Sequence, residues 1–226
     1  MIEERKESWN DKTIHDPSKT LFVTIFLGAN DSAKFGAQFV PVEEYLANVN
    51  AIIQTIHAVD ENIPVILITP PPVSDNDWLA TMKERHRLWN PQATEEDING
   101  IQMDRKNEVT EQYAMALVNF AKLHSYHYID LYTEMMEAAE SLKKRKGEDE
   151  HEESFIKKRK LAEVEEEKSY KKKAEEPAEP KYKMFLCDGL HLSSRGNSFL
   201  AEKLKQYIQK QLPSVSPSEL LCGTFV

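Results

Sequence analysis

The sequence predicts an α/β domain in which helices flank a parallel β-sheet. Three apolar segments have the length of strands, at residues 21–27, 65–69 and 127–131. Two amphipathic segments of helical length separate them, at residues 42–57 and about 104–123. Alternating strands and helices are typical of parallel sheets, because parallel neighbours need a long crossover connection. Ligands of such sheets bind beyond the carboxyl ends of the strands, so the residues after each strand carry the functional argument.

The first half of the chain alternates clearly. The run LFVTIFL at 21–27 is β-branched and aromatic, and Gly28 ends it, as expected of a buried strand. Pro41 suits the first turn of the helix at 42–57. The predicted apolar face of that helix is formed by Tyr45, Val49, Ile52, Ile53 and Ile56.

The second strand, Val65 to Thr69, runs into three prolines that must end it. Residues 76–103 form a long polar connection, predicted to be partly helical, before the helix at about 104–123 and the short strand at 127–131. The predicted apolar side of that helix is formed by Val109, Tyr113, Leu117 and Phe120. A last helix is predicted at 196–211, capped by Ser193 or Ser194. Its apolar residues are Phe199, Leu200, Leu204 and Ile208.

The segment at 141–183 has a different character, being mostly Lys and Glu. It has too few apolar side chains to pack a face, so it is expected to be disordered or a solvated helix. Because core-like sequence resumes at 184, the segment is interpreted as an insertion within one domain formed by 20–140 and 184–212. Its Lys/Arg clusters could bind a protein partner or act as a nuclear import signal, or could simply be solvated. Residues 1–19 are a polar N-terminal segment and 213–226 a C-terminal tail.

Composition excludes several functional classes. The chain has 226 residues and a formal net charge of −9, which argues against nucleic-acid binding. Two cysteines do not make a disulfide framework, and no apolar run reaches the roughly 20 residues that span a bilayer. With a charged N-terminus in place of a signal peptide, the expectation is a cytoplasmic protein without membrane contact, with the nucleus as an alternative. Cys187 is expected to be a small buried side chain, and His124 with His127 to approach a strand, with no metal site.

Two short motifs carry polar chemistry. Gly28-Ala29-Asn30-Asp31-Ser32 follows the first strand, where a glycine allows a tight turn and an asparagine amide could face a developing oxyanion. Alone it indicates an ordinary turn more readily than a site. Asp188-Gly189-Leu190-His191 precedes the last helix, and its carboxylate could orient the imidazole and stabilise its charged form. Alone it fits a solvated surface turn equally well.

Taken together, Gly-x-Asn-Asp after a strand and Asp-x-x-His before the last helix resemble the third and fifth sequence blocks of the SGNH (GDSL-type) hydrolases. Four longer runs resemble the isoamyl acetate-hydrolysing esterases in particular. They are FLGANDS at 26–32, VPVEEYLANV at 40–49, VILITPPPV at 65–73 and DGLHLSSRGNSFL at 188–200. The resemblance covers about residues 20–140 and 184–211.

The resemblance implies a three-layer, flavodoxin-like SGNH hydrolase fold. It implies hydrolysis of small carboxylic, acetate-type esters through an acyl-serine intermediate, without metal or organic cofactor. By the matching positions, His191 corresponds to the general base and Asp188 to its orienting carboxylate. Asn30 and Gly28 correspond to the oxyanion hole.

The family's first two blocks, which supply the nucleophilic serine and two oxyanion donors, have no counterpart in this sequence. Ser8 lacks a preceding strand and a Gly-Asp context, and Ser32 lies in the third block. The fold is therefore expected to be N-terminally incomplete and the chain to be inactive or impaired as an esterase. The competing hypothesis is a non-catalytic protein that keeps a remnant of the fold and binds a partner through 141–183.

Overall fold

A parallel three-stranded sheet forms the centre of the molecule. The computed structural model describes residues 20–141 and 181–215. Strands β1 (Val23–Phe26), β2 (Val65–Ile68) and β3 (His127–Ile129) lie in the order β1-β2-β3. Val23 is in register with Val65, and Ile66 with His127. The predicted strand direction and order along the chain are confirmed.

The helices follow the predicted alternation. They are α1 (Val42–His57), α2 (Asp75–Trp89), α3 (Glu95–Asn99), α4 (Asn107–His124) and α5 (Ser194–Gln211). Residues 131–141 are also helical, and short 3-10 helices cover Lys181–Phe185 and Pro213–Val215. The helix at 42–57 has the predicted bounds. In the described part of the chain, no helix is long and apolar enough to cross a bilayer.

Helices α1 and α4 cover one face of the sheet. Their apolar side chains pack on the strand residues that point to that face, in a cluster formed by Ile25, Tyr45, Val49, Ile53, Val65, Leu67, Tyr113, Leu117 and Ala121. One prediction for α1 is wrong. Ile52 is 38% exposed, because it lies on the flank of the helix, beside the stripe that contacts the sheet.

Helix α5 and the helical residues 131–141 cover the opposite face. The buried cluster there is formed by Ile66, Ile68, Ile129, Leu131, Met135, Phe185 and Ile208. Alternate residues of β2 thus point into two separate cores, and all four are buried. This gives the three-layer α/β arrangement that the sequence predicts.

The domain resumes earlier after the charged segment than the sequence suggests. Tyr182 donates from its hydroxyl to the carbonyl of Val73 at 3.2 Å, and Lys183 pairs with Asp77 at 2.9 Å. Residues 142–180 lie outside the described residues, as do 1–19 and 216–226. The expectations for the charged insertion and its partner surface, and for Ser8, therefore fall outside the described structure.

Helix α5 begins where the sequence places its cap. The side chain of Ser193 accepts from the backbone N–H of Gly196 at 3.2 Å, and its hydroxyl donates to the carbonyl of Met184 at 3.1 Å. Of the two predicted caps, Ser193 is therefore the one used, and Ser194 is the first helical residue. The cap fixes the chain immediately after the Asp188-to-His191 motif.

Candidate active site

Asp188 and His191 form a hydrogen-bonded pair. The Nδ1 atom of His191 lies 2.8 Å from Oδ2 of Asp188. The other carboxylate oxygen, Oδ1, accepts the backbone N–H groups of Leu190 at 3.0 Å and His191 at 2.8 Å. The His191 side chain is 60% exposed, whereas Asp188 is 17% exposed. A carboxylate held at Nδ1 favours the tautomer whose Nε2 can accept a proton from a ligand.

The turn that carries the pair is anchored on α2. Gly189 adopts φ of +92°, and a Cβ at this position would overlap the backbone nitrogen of Trp78. The carbonyl of Gly189 accepts the Ser74 N–H at 2.8 Å, and the Asp188 carbonyl accepts the Thr81 hydroxyl at 3.0 Å. Because Ser74 follows β2 after the three prolines, the pair is tied to the segment that leaves the carboxyl end of the central strand.

The Arg85 side chain is a second hydrogen-bond donor to the same carboxylate. Its guanidinium donates to Oδ2 of Asp188 at 3.0 Å and lies 5.2 Å from the ring centre of Trp78. The Trp78 ring meets His191 edge-on, with ring centres 6.2 Å apart. Trp78 itself is buried with Val73. The indole is therefore an apolar neighbour of both the Arg85 guanidinium and the His191 imidazole.

The environment of Asp188 favours its charged form. Burial of the carboxyl group opposes ionisation, but hydrogen bonds from the backbone and side chain of His191 and from the Leu190 N–H outweigh it. The net effect is a pKa of Asp188 below its usual range. The group is therefore a carboxylate at neutral pH, as an orienting partner of a histidine must be.

The first motif folds into a tight turn after β1. Gly28 has φ of +108°, and a Cβ there would lie 3.1 Å from the Tyr45 hydroxyl and 3.3 Å from Pro70. Its backbone N–H donates to the carboxylate of Asp31 at 3.1 Å. Gly28 thus shapes the turn, while its N–H is already engaged. Asn30 is exposed, and its Oδ1 accepts from Arg105 at 3.4 Å.

A chain of polar contacts connects the two motifs. The indole N–H of Trp78 donates to Oδ1 of Asp104 at 2.7 Å, and Oδ2 of Asp104 pairs with Arg105 at 2.8 Å. Arg105 also donates from Nε to the Ala29 carbonyl at 3.0 Å. The edge contact of Trp78 with His191 completes the connection. The structure thus places both motifs in one contact network beyond the ends of β1 and β2.

Ser32 lies in the same turn but is not presented to solvent. It is fully buried, and its hydroxyl contacts the Ala29 carbonyl at 3.2 Å and the Thr110 hydroxyl at 3.3 Å. These contacts stabilise the turn on α4. The Ser32 hydroxyl is therefore engaged within the turn.

The prediction for Cys187 is wrong, because the side chain is exposed. Its backbone N–H donates to the His191 carbonyl at 2.8 Å, so the residue belongs to the outward-facing turn and not to the core. His127, by contrast, lies in β3 as predicted, and its Nδ1 meets the Tyr207 hydroxyl at 3.1 Å.

Comparison with known proteins decides the family. The model of the family described as GDSL-like Lipase/Acylhydrolase matches residues 2–204. The chain belongs to this family. The three-layer, flavodoxin-like α/β fold that the sequence predicts is thus confirmed, together with the SGNH (GDSL-type) assignment that rests on Asn30, Asp188 and His191.

Individual GDSL-family proteins resemble the chain over most of its length. A human protein named isoamyl acetate-hydrolyzing esterase 1 homolog is 30% identical over 199 residues, which are 85% of this chain and 57% of that protein. A GDSL esterase/lipase from Arabidopsis thaliana is 32% identical over 90% of this chain and 64% of its own. The chain thus spans less than two thirds of these relatives. A lipase/acylhydrolase structure from Enterococcus faecalis aligns at a TM-score of 0.49 with 19% identity, covering 92% of this chain and 69% of that one.

No sequence motif indicates four residues of the candidate site: Trp78, Arg85, Asp104 and Arg105. All lie in or beside the polar connection at 76–103, which carries no motif. One signal was available. A tryptophan within a polar segment is unusual and favours a local apolar cluster, which here forms with Val73 and Leu190.

The lowered pKa of Asp188 predicts a pH-dependent stability contribution. Because the pKa of Asp188 in the folded state lies below its ordinary value, the charged group stabilises the fold at pH values above that ordinary value. The contribution is lost as the pH falls through the folded-state pKa. The Asp188→Asn variant should therefore be less stable than wild type at about pH 6, and the difference should shrink towards about pH 3.

Urea denaturation at the two pH values measures the difference. Glu84→Gln, an exposed carboxylate on the same helix α2, is the matched control for loss of a surface charge. A gap between wild type and Asp188→Asn that stays constant with pH would contradict the electrostatic account of the pair.

Proposed function

We propose that this GDSL-family chain carries the histidine and carboxylate of an acyl-transfer site for small carboxylic esters of the acetate type. The observation that carries the proposal is the bond of 2.8 Å between Nδ1 of His191 and Oδ2 of Asp188. It leaves Nε2 of a largely exposed imidazole as the proton acceptor. The esterase names of the relatives support the reaction class, and the isoamyl acetate name of the human protein supports acetate-type substrates.

The proposed roles follow the chemistry of ester hydrolysis. A serine hydroxyl attacks the ester carbonyl carbon, its proton passes to Nε2 of His191, and the carbonyl electron pair becomes an oxyanion. The side-chain N–H of Asn30 donates to that oxyanion. Collapse of the intermediate breaks the bond to the alcohol oxygen, which takes the proton from His191. Water then repeats the sequence on the acyl-serine and releases the acid.

We further propose that the chain alone does not supply the serine. Ser32 is buried, the hydroxyl of Ser74 donates to Asp77 at 2.6 Å, and Ser193 caps α5. Ser8 follows Glu7 and not a Gly-Asp pair. A water molecule could attack in place of serine, but without the missing oxyanion donors, each of which contributes roughly 3 kcal/mol in comparable enzymes.

Labelling with a fluorophosphonate tests this proposal. The purified chain should remain unlabelled and should hydrolyse p-nitrophenyl acetate no faster than a His191→Ala control. An extended form, in which a segment with a Gly-Asp-Ser motif from a GDSL-family hydrolase precedes this chain, should gain both activities. Stoichiometric labelling of a native serine in the chain alone would show that the nucleophile is present and that the assignment is wrong.

A further inference from the structure

Arg105 is a buried cation with four hydrogen-bond partners, two of which belong to the turn after β1. It lies between α3 and α4 and is 2% exposed. Its Nε donates to the Ala29 carbonyl at 3.0 Å, and one terminal nitrogen donates to Gln38 at 2.6 Å and to Oδ1 of Asn30 at 3.4 Å. The other terminal nitrogen pairs with Asp104 at 2.8 Å. Burying a guanidinium costs several kcal/mol unless such partners are present, so this cation is held in a site built for it.

The contact with Asn30 fixes which way its amide points. A guanidinium has donors only, whereas an asparagine amide has one acceptor oxygen and one donor nitrogen. The atom facing Arg105 must therefore be Oδ1, and Nδ2 faces the opposite way. No acceptor among the described residues pairs with this Nδ2, and Asn30 is exposed at the sheet edge. The nitrogen is thus available to donate to a bound ligand.

We infer that Arg105 is a positioning residue that holds the Asn30 amide in the orientation required of an oxyanion donor. The inference rests on the proposed function for the meaning of that orientation. The terminal torsion of asparagine has two nearly equivalent states. In the flipped state the amide would present its oxygen to the developing negative charge and repel it. Arg105 disfavours this state, because the guanidinium can pair only with the oxygen.

Contacts of the same cation also connect the donor with His191. Asp104 joins Arg105 at 2.8 Å to the indole nitrogen of Trp78 at 2.7 Å, and the Trp78 ring contacts the imidazole edge-on. The contacts of Arg105 and Asp104 that reach the Asn30 amide therefore continue to the indole that lies beside His191. Arg105 acts through Asn30 and does not itself touch the reacting atoms.

The test measures the amide itself, by ¹⁵N relaxation of the Asn30 side-chain NH₂ group in the purified chain. Loss of the signal in Asn30→Ala assigns it. In wild type the order parameter should approach the value of about 0.85 found for rigid groups, and in Arg105→Met it should fall below about 0.6. Gln38→Met should leave the order parameter unchanged or raise it, because the shared terminal nitrogen then serves Asn30 alone.

A second variant separates positioning from folding of the turn. Arg105→Lys keeps the charge but loses the planar fork, so the amide should become mobile while the backbone N–H order parameters of residues 29–32 stay at wild-type values. An amide that remains rigid in both Arg105 variants overturns the inference. So does an equal loss of order in Gln38→Met, which would assign the restraint to packing of the turn. The readout needs no turnover, so a failure of the labelling experiment is distinguishable from a failure here.

Discussion

Replacement of His191 by alanine in the extended form should lower kcat for p-nitrophenyl acetate by roughly 10⁶, the loss seen when a triad histidine is removed. The physical reason is that Nε2 of His191 is the proposed acceptor of the serine proton, and the Asp188 carboxylate at 2.8 Å from Nδ1 stabilises the resulting charge. KM should change little, because the exposed imidazole contributes little to ground-state binding. Steady-state kinetics measures both parameters.

Two variants calibrate that result. Asp188→Ala should cost less, about 10⁴ in kcat, since the imidazole remains present but loses its orienting partner. His127 lies on β3 and contacts Tyr207 of α5, away from the pair formed by Asp188 and His191. His127→Ala should therefore leave kcat near the wild-type value. Retention of more than about one hundredth of the activity in His191→Ala would rule out His191 as the general base.

Gly189→Ala should destabilise the fold by about 3 kcal/mol, the sum of left-handed strain and forced displacement of packed neighbours. The residue adopts φ of +92°, and its Cβ would overlap the backbone nitrogen of Trp78 and lie 2.9 Å from the carbonyl oxygen of Ser74. Because both are backbone atoms of the start of α2, neither can move without shifting the helix. Urea denaturation measures the free energy of unfolding.

Gly36→Ala is the matched control for this variant. Gly36 has φ of +89°, close to that of Gly189, but a Cβ there meets nothing within 4 Å. Its substitution should cost only the backbone strain, about 1 kcal/mol. Equal losses at the two positions would mean that the turn of Asp188 to His191 is not packed against α2.

The sequence predicts those features that depend on local patterns. The period of apolar residues locates α1 with its observed bounds, and the proline run after Thr69 ends β2 at Ile68. The spacing of three residues between Asp188 and His191 makes their pairing possible, and the resemblance to the family favours it over a solvated turn. Ile52 was wrongly predicted to be on the buried face of α1, because the helical period does not show how wide the face packed on the sheet is.

Long-range contacts were not predictable in the same way. Helix α2 lies in the polar connection, and Trp78 is the one buried residue of this described helix. A single apolar residue gives no helical periodicity from which the helix could be predicted. The bonds of Arg105 to Ala29 and Asn30 join residues that are 76 and 75 positions apart in the sequence. Nothing in the sequence marks this arginine as buried. Its role depends on which surface segments the fold brings together.

The saturated carboxylate of Asp188 has a consequence for where a proton resides. Each of its oxygens already accepts two hydrogen bonds: Oδ1 from two backbone N–H groups, Oδ2 from His191 and Arg85. Hydrogen bonds from His191 and Leu190 hold the pKa of Asp188 below its usual range, so transfer of the Nδ1 proton along its bond to Oδ2 is unfavourable. In the proposed reaction a proton taken up at Nε2 would therefore stay on the ring until the alcohol leaves. Asp188 would act as a fixed counter-charge. The imidazole would hold one proton at a time and donate it to the leaving group each time a bond breaks.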